Sequence, residues 1–377
     1  MNLYDATFKF FSCLVIGLIK IFMKIKAPQV LFITILFLLQ TLFAEGQINT
    51  PNGKAISTAT LDQFVKIQMD SLKMPGISLA VIVNGQIVYH NASGMANIES
   101  GTKVDDSTLF EVASLTKPAF AFFVMRLVDK GIINLDKPLY QYLPNAEIDY
   151  DDRYKLITAR MVLSHTTGFP NWRADNKGAQ LTIQFTPGSK YSYSGEGYEY
   201  LANVVAHITH TNLRDLETLY TKEVSNPLGL KHFYFTWNDF LQRHKATGYY
   251  GTNPQGLWRP VIFRSASSLQ TEMMDYARFL IGVMDEKVLK KASISEMLKE
   301  QIIIPNGTPD THEAFGLGFY MEPTPYGTRY SHNGSNGDFT SGFVFYKRQK
   351  FGYVFFTNCD KGGEFNKKLK AFLIAGK

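Results

Sequence analysis

Apolar residues recur at helical spacing near both ends of the chain, and short β-rich runs flank a long helical middle. Leu61, Phe64, Val65 and Leu72 follow the 3.6-residue period and predict a helix over 60–72, with Thr60 as its N-cap. Pro75-Gly76 ends it. Two β-rich runs, 77–83 and 86–90, then flank Asn84-Gly85, a strong hairpin signal. Helical patterns follow at 115–129, 196–209, 213–223 and 271–284, with loops rich in Gly, Pro and Asn between them. Strand patterns return at 317–321, 328–332, 342–346 and 351–357, and a last helix is predicted over 364–375.

This order carries a topological consequence. A two-stranded hairpin is marginal by itself, so the early strands need the late ones as partners. The expected fold class is α+β: one antiparallel sheet built from both chain ends, with the terminal helices packed on one face. The mostly helical middle forms a second lobe, and the cleft between lobe and sheet is the natural place for a site.

The N-terminus reads differently. Two apolar runs, 10–19 and 30–39, are each shorter than the ~20 residues that span a bilayer. From Met23 onward the pattern is that of a secretory signal: Lys24 and Lys26, then an apolar stretch over 30–43, then Ala44 as a small residue for cleavage. Residues 1–44 are therefore expected to be a signal peptide, or alternatively an uncleaved anchor. Residues 45–59 are expected to be a polar linker, and 60–377 the functional domain. The destination implied is periplasmic or extracellular, with membrane or cell-wall association left open.

Composition narrows the partners. The 377 residues carry a net charge of +6, but no basic block interleaved with aromatics appears, which argues against nucleic acid. Cys13 falls in the N-terminal segment and leaves Cys359 without an obvious partner, so no disulfide framework is implied. No cluster of Cys and His stands at metal-ligand spacing, and His165, His207 and His210 read as structural or surface residues. No metal or other cofactor is called for.

The chemistry concentrates in three segments. In Ser114-Leu115-Thr116-Lys117 the serine opens a helix, so Lys117 shares its face and reaches the hydroxyl. Pro118 falls in the first turn, where no intrahelical donor is lost. A lysine whose pKa is lowered by burial can serve as the base for a serine nucleophile. A second Ser-x-x-Lys, Ser100 to Lys103, lies in a turn-like stretch with no helix after it and serves as an internal control. The second segment, Tyr193-Ser194-Gly195, ends a turn-rich loop and places a phenol where it can relay a proton. In the third, His332-Asn333-Gly334-Ser335, a strand ends in small residues, and the Ser335 N–H can pair with that of Ser114 to form an oxyanion hole.

The ordered co-occurrence of these segments resembles the β-lactamase-related serine hydrolases: class C β-lactamases, penicillin-binding proteins and family VIII esterases. These carry Ser-x-x-Lys, then Tyr-x-Asn, then Lys-Thr-Gly or His-x-Gly. Stretches 106–109, 163–170, 226–230 and 266–280 look similar too, so the likeness covers roughly 60–375. The resemblance implies Ser114 as acylated nucleophile and Lys117 as its base. It implies Tyr193 as proton relay, His332 as a substrate-orienting or field-tuning group, and Gly334, Ser335 and Gly195 at the oxyanion and substrate-binding positions. The substrate class implied is an ester, D-peptide or lactam; the alternative is a non-catalytic penicillin-binding sensor. One departure stands out. Gly195 replaces the family's Asn, which in β-lactamases helps hold the acyl-amide side chain. Cleft specificity is expected to come from loops at 170–182 and 237–259.

Overall fold

The computed structural model describes residues 46–173, 180–305 and 312–375. The expected signal or anchor segment, 1–44, lies outside the described residues. Among those described, no helix is long and apolar enough to cross a membrane.

The expected sheet is present. Strands β1 (Gly76–Val83), β2 (Gln86–Asn97) and β3 (Thr102–Lys103) come from the first third of the chain. Strands β4 (Ile302–Ile303), β5 (Ala314–Phe315), β6 (Tyr320–Thr324), β7 (Gly327–Ser335), β8 (Thr340–Tyr346) and β9 (Phe351–Thr357) come from the last. Their spatial order is β4-β5-β6-β7-β8-β9-β1-β2-β3, and neighbours are antiparallel. The two chain ends join where Thr357 faces Ile77 and Gly352 faces Ile82. The β1–β2 turn places Asn84 (φ 53°) and Gly85 (φ 73°) in the left-handed region, as a two-residue type I′ hairpin requires.

Period-2 alternation divides the core in two. Ile77, Leu79 and Val81 of β1, with Tyr353 and Phe355 of β9, face helices α1 (Thr58–Leu72) and α5 (Gly362–Lys370). Ala80, Ile82, Val354 and Phe356 point the other way, into the larger cluster. That cluster holds the apolar faces of α2 (Thr116–Asp129), α3 (Gly195–Ile208) and α4 (Met273–Met284). Both faces are covered, so the central strands read as continuous apolar runs.

Several local expectations shift. The cap of α1 is Ser57, whose Oγ accepts from the Thr60 N–H at 3.1 Å, so Thr60 sits inside the first turn. Within the stretch expected as linker, Gln47–Asn49 pairs with Ala55–Ser57 and buries Ile48 against the second cluster. The helix expected over 213–223 is α-helical only over Leu216–Tyr220 and continues as a π-turn. The first late strand is displaced from 317–321 to Tyr320–Thr324, because Gly318 (φ 89°) makes a bend that places its Cα side against Ala121 and Pro118 of α2.

Candidate active site

Ser114 sits in a single 3₁₀ turn, Ala113–Leu115, that leads directly into α2. It is the one residue between Glu111 and Met125 that is not fully buried. The turn is strained and held from several sides. Ala113 adopts φ 48°, a region costly for a residue with a Cβ. The Val112 carbonyl accepts from Ser341 Oγ of β8 (2.8 Å), and the Leu115 carbonyl accepts from the Tyr276 hydroxyl of α4 (2.8 Å). Thr116 Oγ1 donates to the Ala113 carbonyl (2.6 Å) and accepts from the Leu269 N–H (3.1 Å). Sheet and helical lobe therefore both grip the turn that presents Ser114.

Lys117, one turn on, is buried, and its Nζ lies 3.2 Å from Ser114 Oγ and 2.9 Å from the Ala266 carbonyl. It also lies over the Tyr193 ring, 4.7 Å from the centroid. Burial pulls the Lys117 pKa down to about 7, and the Glu199 carboxylate partly opposes that fall. The internal control behaves as expected: Ser100 is exposed in a turn, and its hydroxyl meets Thr102.

Tyr193 precedes α3. Its hydroxyl is buried, close enough to Ser114 for the serine to favour the phenolate, though the two do not form a well-aligned hydrogen bond. Burial dominates and raises the phenol pKa. The ring is fixed by His165, which stacks on it at 4.2 Å and 29°. His165 is buried, sits at φ 56°, and its Nδ1 accepts from the Ser194 N–H at 3.0 Å. That bond leaves its proton on Nε2. Burial and the nearby Lys117 hold the His165 pKa well below the usual histidine value. His165 was read from sequence as structural or surface; it is structural, and what it supports is Tyr193.

Strand β7 brings the third segment alongside. A Cβ on Gly334 would stand 2.3 Å from the Val112 carbonyl, 2.4 Å from Ser341 Oγ and 3.1 Å from the Ser114 nitrogen. Only glycine lets the strand approach the serine turn this closely. Ser335 follows, exposed and paired in register with Thr340. His332 is buried, and its Nδ1 lies 2.8 Å from the Asn333 carbonyl, which can only accept. Nδ1 therefore carries the proton, and Nε2 is a buried acceptor with no protein partner among the described residues. Burial, reinforced by Lys117, pushes the His332 pKa down to about 3, so the ring is neutral near pH 7. Ser114, Tyr193, His332, Gly334 and Ser335 all line one cavity of about 750 Å³.

Gly195 takes a different place. It opens α3, and its N–H is held by Asn171. A Cβ there would lie 2.7–2.9 Å from three carbons of the Trp172 indole. Trp172 thus covers the position from which a longer side chain would project. The ring also lines a second cavity of about 480 Å³, together with Tyr250, Trp258, Ser267 and Asn336. That lining draws on the described parts of both loops expected to set specificity; within the first of them, 174–179 lie outside the described residues. His232, Glu272 and Asp275 form a three-residue group of metal-ligating type; the two carboxylates are engaged, Asp275 accepting from two main-chain N–H groups and Glu272 capping α4, while His232 Nδ1 lies 3.7 Å from both and has no hydrogen-bond partner among the described residues.

The beta-lactamase family model matches residues 61–375. Among curated proteins, Protein flp of Staphylococcus aureus (strain MRSA252) is 22% identical over 330 residues, covering 80% of this chain. The chain spans only 63% of that protein's length. Esterase EstB of Burkholderia gladioli is 28% identical over 200 residues, 46% of this chain and 50% of the esterase. Among solved structures, a class C beta-lactamase superposes with a TM-score of 0.69 at 20% identity, covering 80% of this chain and 91% of its own. The D-alanine carboxypeptidase AmpC from Burkholderia cenocepacia gives 0.68 at 18%, covering 80% and 93%. The sheet assembled from both chain ends, the helical lobe and the serine turn between them are the β-lactamase/transpeptidase fold, and the chain belongs to the beta-lactamase family.

Proposed function

We propose that this protein is an exported serine hydrolase that cleaves an ester or amide through an acyl-enzyme on Ser114. The observation that carries the reading is the 3.2 Å approach of a buried Lys117 Nζ to Ser114 Oγ, with the lysine pKa near 7. An ordinary lysine, with a pKa about 10.4, is almost wholly protonated at neutral pH. This one is substantially the free amine and can take the serine proton.

In the proposed sequence, Ser114 Oγ attacks the substrate carbonyl carbon as its proton passes to Lys117 Nζ. The developing oxyanion is met by the N–H groups of Ser114 and Ser335. As the tetrahedral centre collapses, the bond to the leaving group breaks, and that group takes a proton relayed from Lys117 through the Tyr193 hydroxyl. Water, activated by the same pair, then cleaves the acyl–Ser114 bond and returns the proton to Oγ. His332 acts here as a neutral acceptor and orients substrate through Nε2.

Within this reaction class, the site leans toward esters, or amides of unusual acyl groups, and away from efficient β-lactam hydrolysis. Two observations support that preference. Trp172 occupies the space beside Gly195, where an amide side chain would otherwise reach the substrate. His332 is uncharged where the Lys-Thr-Gly form of the related pattern has lysine.

The test is intact-mass spectrometry of the protein after exposure to p-nitrophenyl acyl esters and to nitrocefin, with product absorbance followed in parallel. Steady ester turnover that vanishes in Ser114→Ala is expected, with nitrocefin far slower. Comparable turnover of both would contradict the ester preference. A single stoichiometric burst would favour a sensor that acylates without turning over. No adduct and no release with any acyl donor would remove the hydrolase reading. The N-terminal sequence of the exported protein checks the signal assignment.

A further inference from the structure

Lys117 is buried among aromatic and imidazole groups, and among the described residues one carboxylate reaches it electrostatically. Tyr193 and Tyr198 present their rings, at 4.7 and 5.7 Å from Nζ to the centroids. His165 and His332 lie near enough to interact with the ammonium and are themselves kept neutral. The carboxylate is Glu199, on the second turn of α3 and six residues beyond Tyr193. Its side chain is only 13% exposed, so it does not belong to the solvated surface.

Glu199 is also tied to Lys117 through the main chain. Its Oε1 accepts from the Ala266 N–H at 3.1 Å, and the Ala266 carbonyl accepts from Lys117 Nζ at 2.9 Å. Both polar groups of one residue are thus pinned, one by the acid and one by the base. Arg264 stands behind the carboxylate, with Nη1 3.9 Å from Oε2, and Glu196 is the like-charged neighbour on α3. Neither the sequence pattern nor the mechanism above uses Glu199.

We propose that Glu199 is a positioning residue for the nucleophile's base: it orients the Ala266 carbonyl onto Lys117 and supplies the anion that stabilises the ammonium formed when Ser114 gives up its proton. In that step the Ser114 O–H bond breaks, an N–H bond forms on Lys117, and the positive charge created has a fixed partner across the Ala266 residue. The inference rests on the acyl-enzyme reading. Burial pushes the Glu199 pKa up to about 7, so acid and base titrate in the same range and share the acid limb of activity.

The test is the pH dependence of Ser114 labelling by a p-nitrophenyl alkylphosphonate, followed by intact mass, which needs no knowledge of the natural substrate. E199Q keeps an acceptor for the Ala266 N–H and removes the charge. Without its counter-anion Lys117 holds its proton less tightly, so the acid limb should move to lower pH, by about one unit for a close buried charge. The high-pH rate should fall several-fold, because a weaker base removes the proton. E199D keeps the charge and withdraws the acceptor; its limb should stay near that of the wild type while its rate drops. An E199Q limb unchanged from wild type overturns the electrostatic role, and an E199D rate equal to wild type overturns the positioning role. If the wild type itself is never labelled, the acyl-enzyme reading fails and takes this inference with it.

Discussion

Replacing Gly195 by Asn would restore the side chain that the related motif carries, and the structure says the residue does not fit. The new Cβ would lie 2.7 Å from Cη2 of Trp172 and 2.9 Å from both Cζ2 and Cζ3. Favourable carbon contacts begin near 3.5 Å, so the overlap is ~0.6–0.8 Å against a rigid bicyclic ring. The helix start cannot retreat easily, because the Gly195 N–H is held by Asn171 and Ser194 caps α3 through the Gly197 N–H at 3.0 Å. The indole must move. Overpacking of this kind costs about 1–3 kcal/mol. At roughly 1–2 °C per kcal/mol for a domain of about 330 residues, thermal unfolding of G195N should come about 1–5 °C below wild type. The double variant W172A/G195N should lose no more than W172A alone, giving a coupling energy of about 1–3 kcal/mol in the thermodynamic cycle. Ester kinetics on the same four proteins should show G195N impaired and the double variant recovering rate, with the nitrocefin-to-ester ratio raised above wild type. Equal stability of G195N and wild type, or strict additivity of the two changes, would refute the claim that Trp172 has taken the missing side chain's place.

Because a depressed lysine pKa places the active, neutral form above about pH 7, kcat/KM for an aryl ester should rise through neutrality and level off. One pH unit below the midpoint only about a tenth of the lysine is neutral, so the rate there should be roughly tenfold lower; a profile flat from pH 5 to 8 would remove Lys117 as the base. Gly334→Ala should push β7 away from the Ser114 turn, because its Cβ would meet the Val112 carbonyl and Ser341 Oγ. A displacement of order 1 Å there predicts a fall of about 100-fold in kcat/KM with the fold retained by circular dichroism. Lys245 and Glu111 form an ion pair that is almost wholly buried, and Glu111 Oε2 accepts from Asn336 at 2.8 Å on the wall of the second cavity. Lys245→Ala leaves that carboxylate unpaired, so denaturant unfolding should show a loss of about 3–5 kcal/mol, and a loss under 1 kcal/mol would show the pair to be dispensable.

Much of the fold was legible because its signals are local. The Asn84-Gly85 turn, the apolar period of α1 and α2, and the short apolar runs of β8 and β9 each fix a short stretch by its own residues. The need of marginal early strands for partners then pointed to a sheet closed by the other chain end. Ser114 and Lys117 were legible for the same reason: one helical turn brings i and i+3 together whatever surrounds them. The two-residue strands β4 and β5 were not, since two residues show no period.

The sequence by itself therefore determined the element types, the serine–lysine pair and the order of the three site segments. Tertiary structure alone decided that the lysine is buried and its pKa low, that His165 stacks beneath Tyr193, and that Trp172 fills the space beside Gly195. It alone brought Glu199 to Lys117 through Ala266. These features depend on desolvation and on contacts between residues far apart in the chain, such as the 149 positions separating Lys117 from Ala266, and no local spacing encodes a contact that only the packed fold creates.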